Sequence, residues 1–260
     1  HWFRYVLALR PHDGGDERLG DDLVGTAVHA ALQEVFSPWC GRTGDPNALL
    51  AAIPEVPAIV RRSMAKAASG RSVNEGQPLL QAEMAASAIQ RYLSYEARRW
   101  RENGAPVILA LEHSLSVPID RPGTRDPIPI TGFLDRSERR GGDLFVVDYK
   151  TGAVHAGDTS IRDIAEVPRN KPYAIQLLIY AWLALRRDPG QGTVRAGIVP
   201  LREPAGMDRA FLRIGAADRL ERAHLPAVED FLRSVIQDML DPERPIAHEP
   251  RSRTCRFCAT

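Results

Sequence analysis

Between Asp21 and Phe36 the apolar residues Leu23, Val24, Ala27, Val28, Ala31, Leu32 and Val35 recur at helical spacing. This predicts a helix over 21–36, with Asp21 or Asp22 as its N-cap. A looser stretch, SPWCGRTGDPN, follows. Further helices are expected at 47–69 and 77–103. The period then changes. Residues 105–119 (APVILALEHSLSVPI) and 126–138 (DPIPITGFLDRSE) read as strands, RRGGD as a turn, and LFVVDYK (144–150) as a third strand forming a hairpin with the second. Residues 173–187 form a strongly apolar helical pattern, TVRAGIVPL (193–201) another strand, and 216–240 a final amphipathic helix. Helices, then strands, then helix–strand–helix implies one α/β or α+β domain with a helical insertion near the N-terminus.

The 260 residues are 44% apolar and 26% charged, which is ordinary for a globular chain. A net charge of +1 gives no global basic field, so a nucleic-acid partner would need a local patch. Arginine supplies 31 of the 34 basic residues; the three lysines are Lys66, Lys150 and Lys171. Three cysteines do not make a disulfide framework, and a reducing cytoplasm is the default. No apolar run reaches the roughly 20 residues needed to span a bilayer. The opening HWFRYVLALRP, without Met, reads as a fragment of a longer polypeptide.

The chemistry gathers at the ends of the strands. In LFVVDYKTG, Asp148 and Lys150 are two residues apart and share one face of a strand. Such a pair at the tip of a buried strand is either an ion pair or part of an active site. A hairpin turning near 141–142 sets Asp135 nearly opposite Asp148. Two carboxylates that close repel unless a cation lies between them. Oxygen ligands with room for water suit Mg²⁺ or Mn²⁺. A neighbouring lysine could orient hydroxide or neutralise charge on a phosphate.

In their order these motifs resemble the RecB-type branch of the PD-(D/E)xK nuclease superfamily. Gly132, Asp135 and Arg136 match its G-x-x-D-R; Asp148, Lys150, Thr151 and Gly152 its D-x-K-T-G; Gln176 and Tyr180 its Q-x-x-x-Y. Gly25 and His29 fit the helix that carries the family's histidine, and Glu112 the acid on the preceding strand. The resemblance spans nearly the whole chain. It implies an α/β, restriction-endonuclease-like fold, a central mixed sheet flanked by helices. It implies a Mg²⁺- or Mn²⁺-dependent, exonuclease-like enzyme acting on DNA in repair or recombination, commonly joined to a helicase domain or subunit. Asp135 and Asp148 would be metal ligands, with a backbone carbonyl beside Asp148 as a further one. His29 and Glu112 would complete the metal site. Lys150 would position or activate water, and Gln176 and Tyr180 would brace the site or touch the DNA backbone.

Many relatives hold an iron–sulfur cluster with one cysteine before the domain and three after it. Here Cys255 and Cys258 supply a C-x-x-C and the sequence stops. Four thiolates are needed, so an intact cluster is not expected in these residues, although a longer protein could carry one. Cys40 is expected far from that pair.

Plainer readings stand beside these. His29 could be a core histidine, Glu112 a solvent-facing acid, Gln176 and Tyr180 polar groups at a core edge, and Cys255 and Cys258 zinc ligands or unpaired thiols. The pairs Arg61–Arg62, Arg98–Arg99 and Arg139–Arg140 read as solvated faces rather than DNA clamps. As a whole, the chain could be an inactive nuclease-fold module that binds DNA or a partner subunit, or a carboxylate-metal hydrolase of another phosphoester.

Overall fold

Four helices precede the first strand in the structure, a computed structural model that describes residues 18–69, 72–120, 126–155, 157–202 and 210–243. Helix α1 (Asp21–Phe36) has the expected bounds but not the expected cap. Gly20 is the N-cap, and Asp21 and Asp22 lie in the first turn, where carboxylates face the positive end of the helix dipole. The single helix expected over 47–69 is two, α2 (Pro46–Ala52) and α3 (Val56–Ala67), separated by a 3-10 turn at Ile53–Glu55. Pro54 and Pro57 lack the N–H groups that a continuous helix would use. Helix α4 (Gly76–Asn103) is long and continuous.

Strands β1 (Val107–Ile119), β2 (Ile128–Arg140) and β3 (Asp143–Lys150) follow, then a short β4 (Ser160–Ile161). Helix α5 (Pro172–Arg187) leads to β5 (Thr193–Pro200), β6 (Arg213–Ile214), β7 (Leu220–Glu221) and α6 (Leu225–Leu240). The final helix thus begins at Leu225, not near 216. Leu220 and Glu221 pair with β5 at the sheet edge, and Pro226 occupies the first turn of α6, where its fixed φ suits a helix start.

The main sheet has the order β1-β2-β3-β5-β7 and is mixed: β3 and β5 run parallel, and the other neighbours are antiparallel. Strands β4 and β6 form a separate parallel pair. The hairpin expected between β2 and β3 is present, with Arg140 facing Asp143 across Gly141 and Gly142; Gly141 takes φ +59°, which a tight turn requires.

Helices cover both faces of the sheet. Phe145, Val147 and Tyr149 pack with α1–α4, while Leu144 and Val146 pack with α5 and α6. Burial on both sides explains why β3 reads as a continuous apolar run. Helix α5 lies against bare backbone at Gly132, where a Cβ would come 2.7 Å from Leu183 Cδ1 and 3.0 Å from Tyr180 Cε1.

A buried ion cluster ties α4 to β2. Arg136 Nη2 donates to Glu96 Oε1 at 2.9 Å, and Arg136 Nε lies 3.1 Å from Glu138 Oε2, all three residues being fully buried. Arg140 and Arg99 reach Glu96 from the periphery at 3.2 and 3.1 Å. Burial alone would raise the Glu96 carboxyl, but Arg136, Arg140 and Arg99 hold it below the usual range. Two of the expected solvated arginines therefore turn inward, because buried carboxylates await them. Arg61 and Arg62 do lie on the surface, paired with Glu83 and Glu34. Glu96→Ala would strip Arg136 of a buried partner and should cost about 3–5 kcal/mol. Urea unfolding measures this, and a loss under about 1 kcal/mol would contradict a structural role for the cluster.

Candidate active site

The β2–β3 ladder ends at Arg136 opposite Val147. One step further, the same register sets Asp135 against Asp148. There β3 continues beside β5 alone, with Tyr149 level with Val199 and Lys150 with Pro200. The Tyr149 N–H, which has left the ladder, donates to Asp135 Oδ2 at 2.6 Å.

Helix α1 brings His29 to this opening. Its Nε2 donates to the Tyr149 carbonyl at 3.1 Å, since a carbonyl can only accept. That fixes the ring and turns Nδ1 toward Asp135 Oδ1 at 3.3 Å and Glu112 Oε1 at 3.5 Å. Burial opposes a charged imidazole, but the two carboxylates overcome it and raise the His29 pKa to about 10.

Glu112 arrives through a backbone irregularity, with φ +44° in the middle of β1, a region L-residues seldom adopt. Regular alternation would put Leu111 and Leu115 on one face. Instead Leu111 packs with the α1–α4 side and Leu115 with the α5 side. Strand β2 changes in step: Leu134 packs toward α5, while the Arg136 guanidinium lies over the Phe36 ring of α1. Both strands turn over at the level of Glu112 and Asp135.

On the α5 side, Gln176 Nε2 donates to Asp148 Oδ1 at 2.9 Å and to Tyr180 Oη at 2.8 Å. Lys150 Nζ lies 2.8 Å from Asp148 Oδ2. Burial pushes the Asp148 carboxyl up to about 6; Lys150 pulls against this and Asp135 adds to it. Burial likewise raises the Tyr180 hydroxyl to about 12, keeping it protonated.

The seven candidates outside the cysteines therefore meet at one opening, as two groups. His29, Glu112 and Asp135 each offer a ligand atom, and these atoms lie within 4.8 Å of one another. Asp148 stands apart from that set, held by Lys150 and Gln176. Both groups join at the Tyr149 backbone: its carbonyl, beside Asp148 where the resemblance implies a metal ligand, accepts from His29 Nε2, and its N–H donates to Asp135 Oδ2. Cys255 and Cys258 lie outside the described residues, and Cys40 is exposed. One imidazole nitrogen with two carboxylates is a donor set that Mn²⁺ or Mg²⁺ can use. The carbonyl-anchored Nε2–H is the outer bond that orients a ligating histidine.

The family model described as PD-(D/E)XK nuclease superfamily matches residues 1–260. The chain belongs to the PD-(D/E)XK nuclease superfamily. Its mixed five-stranded sheet with helices on both sides agrees with the restriction-endonuclease-like fold. Members of this superfamily are in general nucleases that use divalent metals. Comparison with curated proteins gives no match. A solved structure described as "Crystal structure of SSO0001" aligns at 16% identity over 91% of this chain and 80% of that one; its TM-score of 0.29 carries no argument. Among the described residues no helix is long and apolar enough to cross a membrane.

The raised pKa of His29 has a signed consequence. In the metal-free protein its stabilising contribution is fully present below the ordinary value of 6.5 and is lost as pH rises through about 10. Wild type should thus lose stability relative to His29→Gln between those pH values. A pH-independent difference in urea midpoints would contradict the arrangement around Nδ1.

Proposed function

We propose that this nuclease-superfamily chain is a RecB-type, Mg²⁺- or Mn²⁺-dependent deoxyribonuclease, exonuclease-like, working beside a helicase domain or subunit in DNA repair or recombination. One observation carries the reading. His29 Nδ1 is aimed at the carboxylates of Asp135 and Glu112, while Asp148 and Lys150 sit at the same strand opening. The order of motifs along the chain supports the branch.

In this reading His29, Glu112 and Asp135 would hold the cation, with Asp148 beside them. When bound, the cation would neutralise charge at the scissile phosphate and acidify water. The protein's own groups do the rest. Tyr149 N–H holds Asp135 Oδ2, so Oδ1 is the oxygen presented to the opening. Gln176 pins Asp148, and Tyr180 braces Gln176. Lys150, 25% exposed, keeps its ammonium at the mouth, where it can meet charge that builds on the phosphate. Its partner, Asp148, titrates near 6 and is largely ionised above that pH.

The runner-up is a nuclease-fold module that binds DNA or a partner subunit without cutting. The joint presence of Asp135, Asp148 and Lys150 in bonded geometry favours the enzyme.

Purified protein with Mn²⁺ or Mg²⁺ separates the readings. Asp135→Asn and Asp148→Ala should abolish metal-dependent cleavage while DNA binding survives, because most phosphate contacts come from other groups. If either variant cuts at the wild-type rate, the site is misassigned; if wild type never cuts, the binding module is favoured. Lys150→Ala should lower turnover about 100- to 1000-fold with little change in melting temperature, since Asp148 can answer the loss by taking up a proton. A large fall in melting temperature with turnover barely changed would make Lys150 a structural ion-pair partner.

A further inference from the structure

Phe133 is 67% exposed, and every other aromatic side chain among the described residues is buried or half-buried. An exposed ring is unremarkable on a random surface, but this one has a defined place. It lies on β2, two residues from Asp135, or roughly 7 Å along the strand. Its neighbours Gly132 and Leu134 both pack toward α5. Phe133 therefore projects to the opposite side, the side from which His29 of α1 reaches Asp135.

The surface around it is specific in its chemistry. Phe133 is level with Ser114 on β1. On the same face, Ser116 and Thr131 are exposed and their hydroxyls share a hydrogen bond of 3.0 Å. From Ser114 to Pro118 on β1, and from Pro129 to Phe133 on β2, this face carries no charge. Small hydroxyl and proline side chains leave the ring open to approach. Among the described residues of this face a phosphate would find no cation, whereas a nucleobase would find an aromatic platform with hydrogen-bonding groups beside it. Base–aromatic stacking tolerates any sequence, because every base has a π-face.

Resting on the nuclease reading above, we propose that Phe133 stacks an unpaired base of the strand being cut, next to the phosphate that would lie over the cation site at Asp135. It is a positioning residue: it touches a base and fixes the register of the strand over the carboxylates. Stacking requires a base with a free face, so the preferred substrate is single-stranded or frayed-end DNA rather than closed duplex.

The test uses single-stranded DNA carrying 2-aminopurine, whose fluorescence responds to stacking, and protein kept metal-free so that nothing is cut. Wild type, Phe133→Ala, Phe133→Leu and Phe133→Trp are compared, with far-UV circular dichroism to check folding. Affinity should fall about 10- to 100-fold in Phe133→Ala, together with loss of the 2-aminopurine response. Phe133→Trp should restore both, and Phe133→Leu should not. With Mn²⁺ present, Phe133→Ala should raise KM for single strands with kcat little changed. Unchanged affinity in Phe133→Ala, or full rescue by leucine, overturns stacking and leaves the nuclease reading intact. A change in sedimentation with no change in DNA binding also overturns it, because the ring would then cover a protein interface. Failure of wild type to cut any DNA would overturn the nuclease reading, while the metal-free fluorescence still reports on the ring.

Discussion

The hydrogen bond from the Tyr149 N–H to the Asp135 carboxylate, 2.6 Å long, is the contact on which the opening depends. Strands β2 and β3 stop exchanging backbone bonds one step earlier. A backbone donor left unpaired in the interior would cost about 1–3 kcal/mol. The Asp135 side chain takes the place of the missing carbonyl. In doing so it is held rigidly at the fork, with one oxygen occupied and the other directed at His29. The carbonyl of the same residue, Tyr149, anchors His29 from the other side. One residue's backbone thus sets the positions of two side chains that come from distant parts of the chain.

That arrangement concentrates negative charge in a place with little water. Asp135 and Asp148 are almost fully buried, and the Asp148 carboxyl is raised to about 6 by that burial. An elevated acid destabilises the fold at neutral pH, and the penalty fades as pH falls through that value. The neighbouring structure must be firm enough to hold the groups in place regardless. The α4–β2 ion cluster supplies that firmness one residue away, since Arg136 directly follows Asp135. Asp135 and Glu112 favour the charged form of His29 in spite of its burial.

Much of this was legible in the residue pattern. The bounds of α1 match its apolar spacing, and the two-residue turn at Gly141–Gly142 delivers the register that sets Asp135 against Asp148. The i, i+2 rule placed Lys150 beside Asp148, as observed at 2.8 Å. What escaped has physical reasons. Period-2 reasoning assumes a strand keeps its faces, but β1 and β2 turn over at Glu112, whose φ of +44° no side-chain pattern announces. Arginine pairs read as surface features because a sequence does not show that Glu96 and Glu138 are buried beside them. The start of α6 was displaced because Leu220 suits an edge strand as well as a helix face. The division of the site, with Asp148 bound to Lys150 and Gln176 and set apart from the His29 trio, depends on which helix reaches which face.

In the proposed reading His29, Glu112 and Asp135 hold one cation at the fork. Pulsed electron paramagnetic resonance of bound Mn²⁺ tests it most directly, because the only nitrogen in that donor set is His29 Nδ1. Wild type should show a coupling to one directly bound ¹⁴N nucleus, and His29→Gln should lose it with Mn²⁺ still bound, more weakly. Mn²⁺ bound to wild type without any nitrogen coupling, or a coupling that survives His29→Gln, would contradict it.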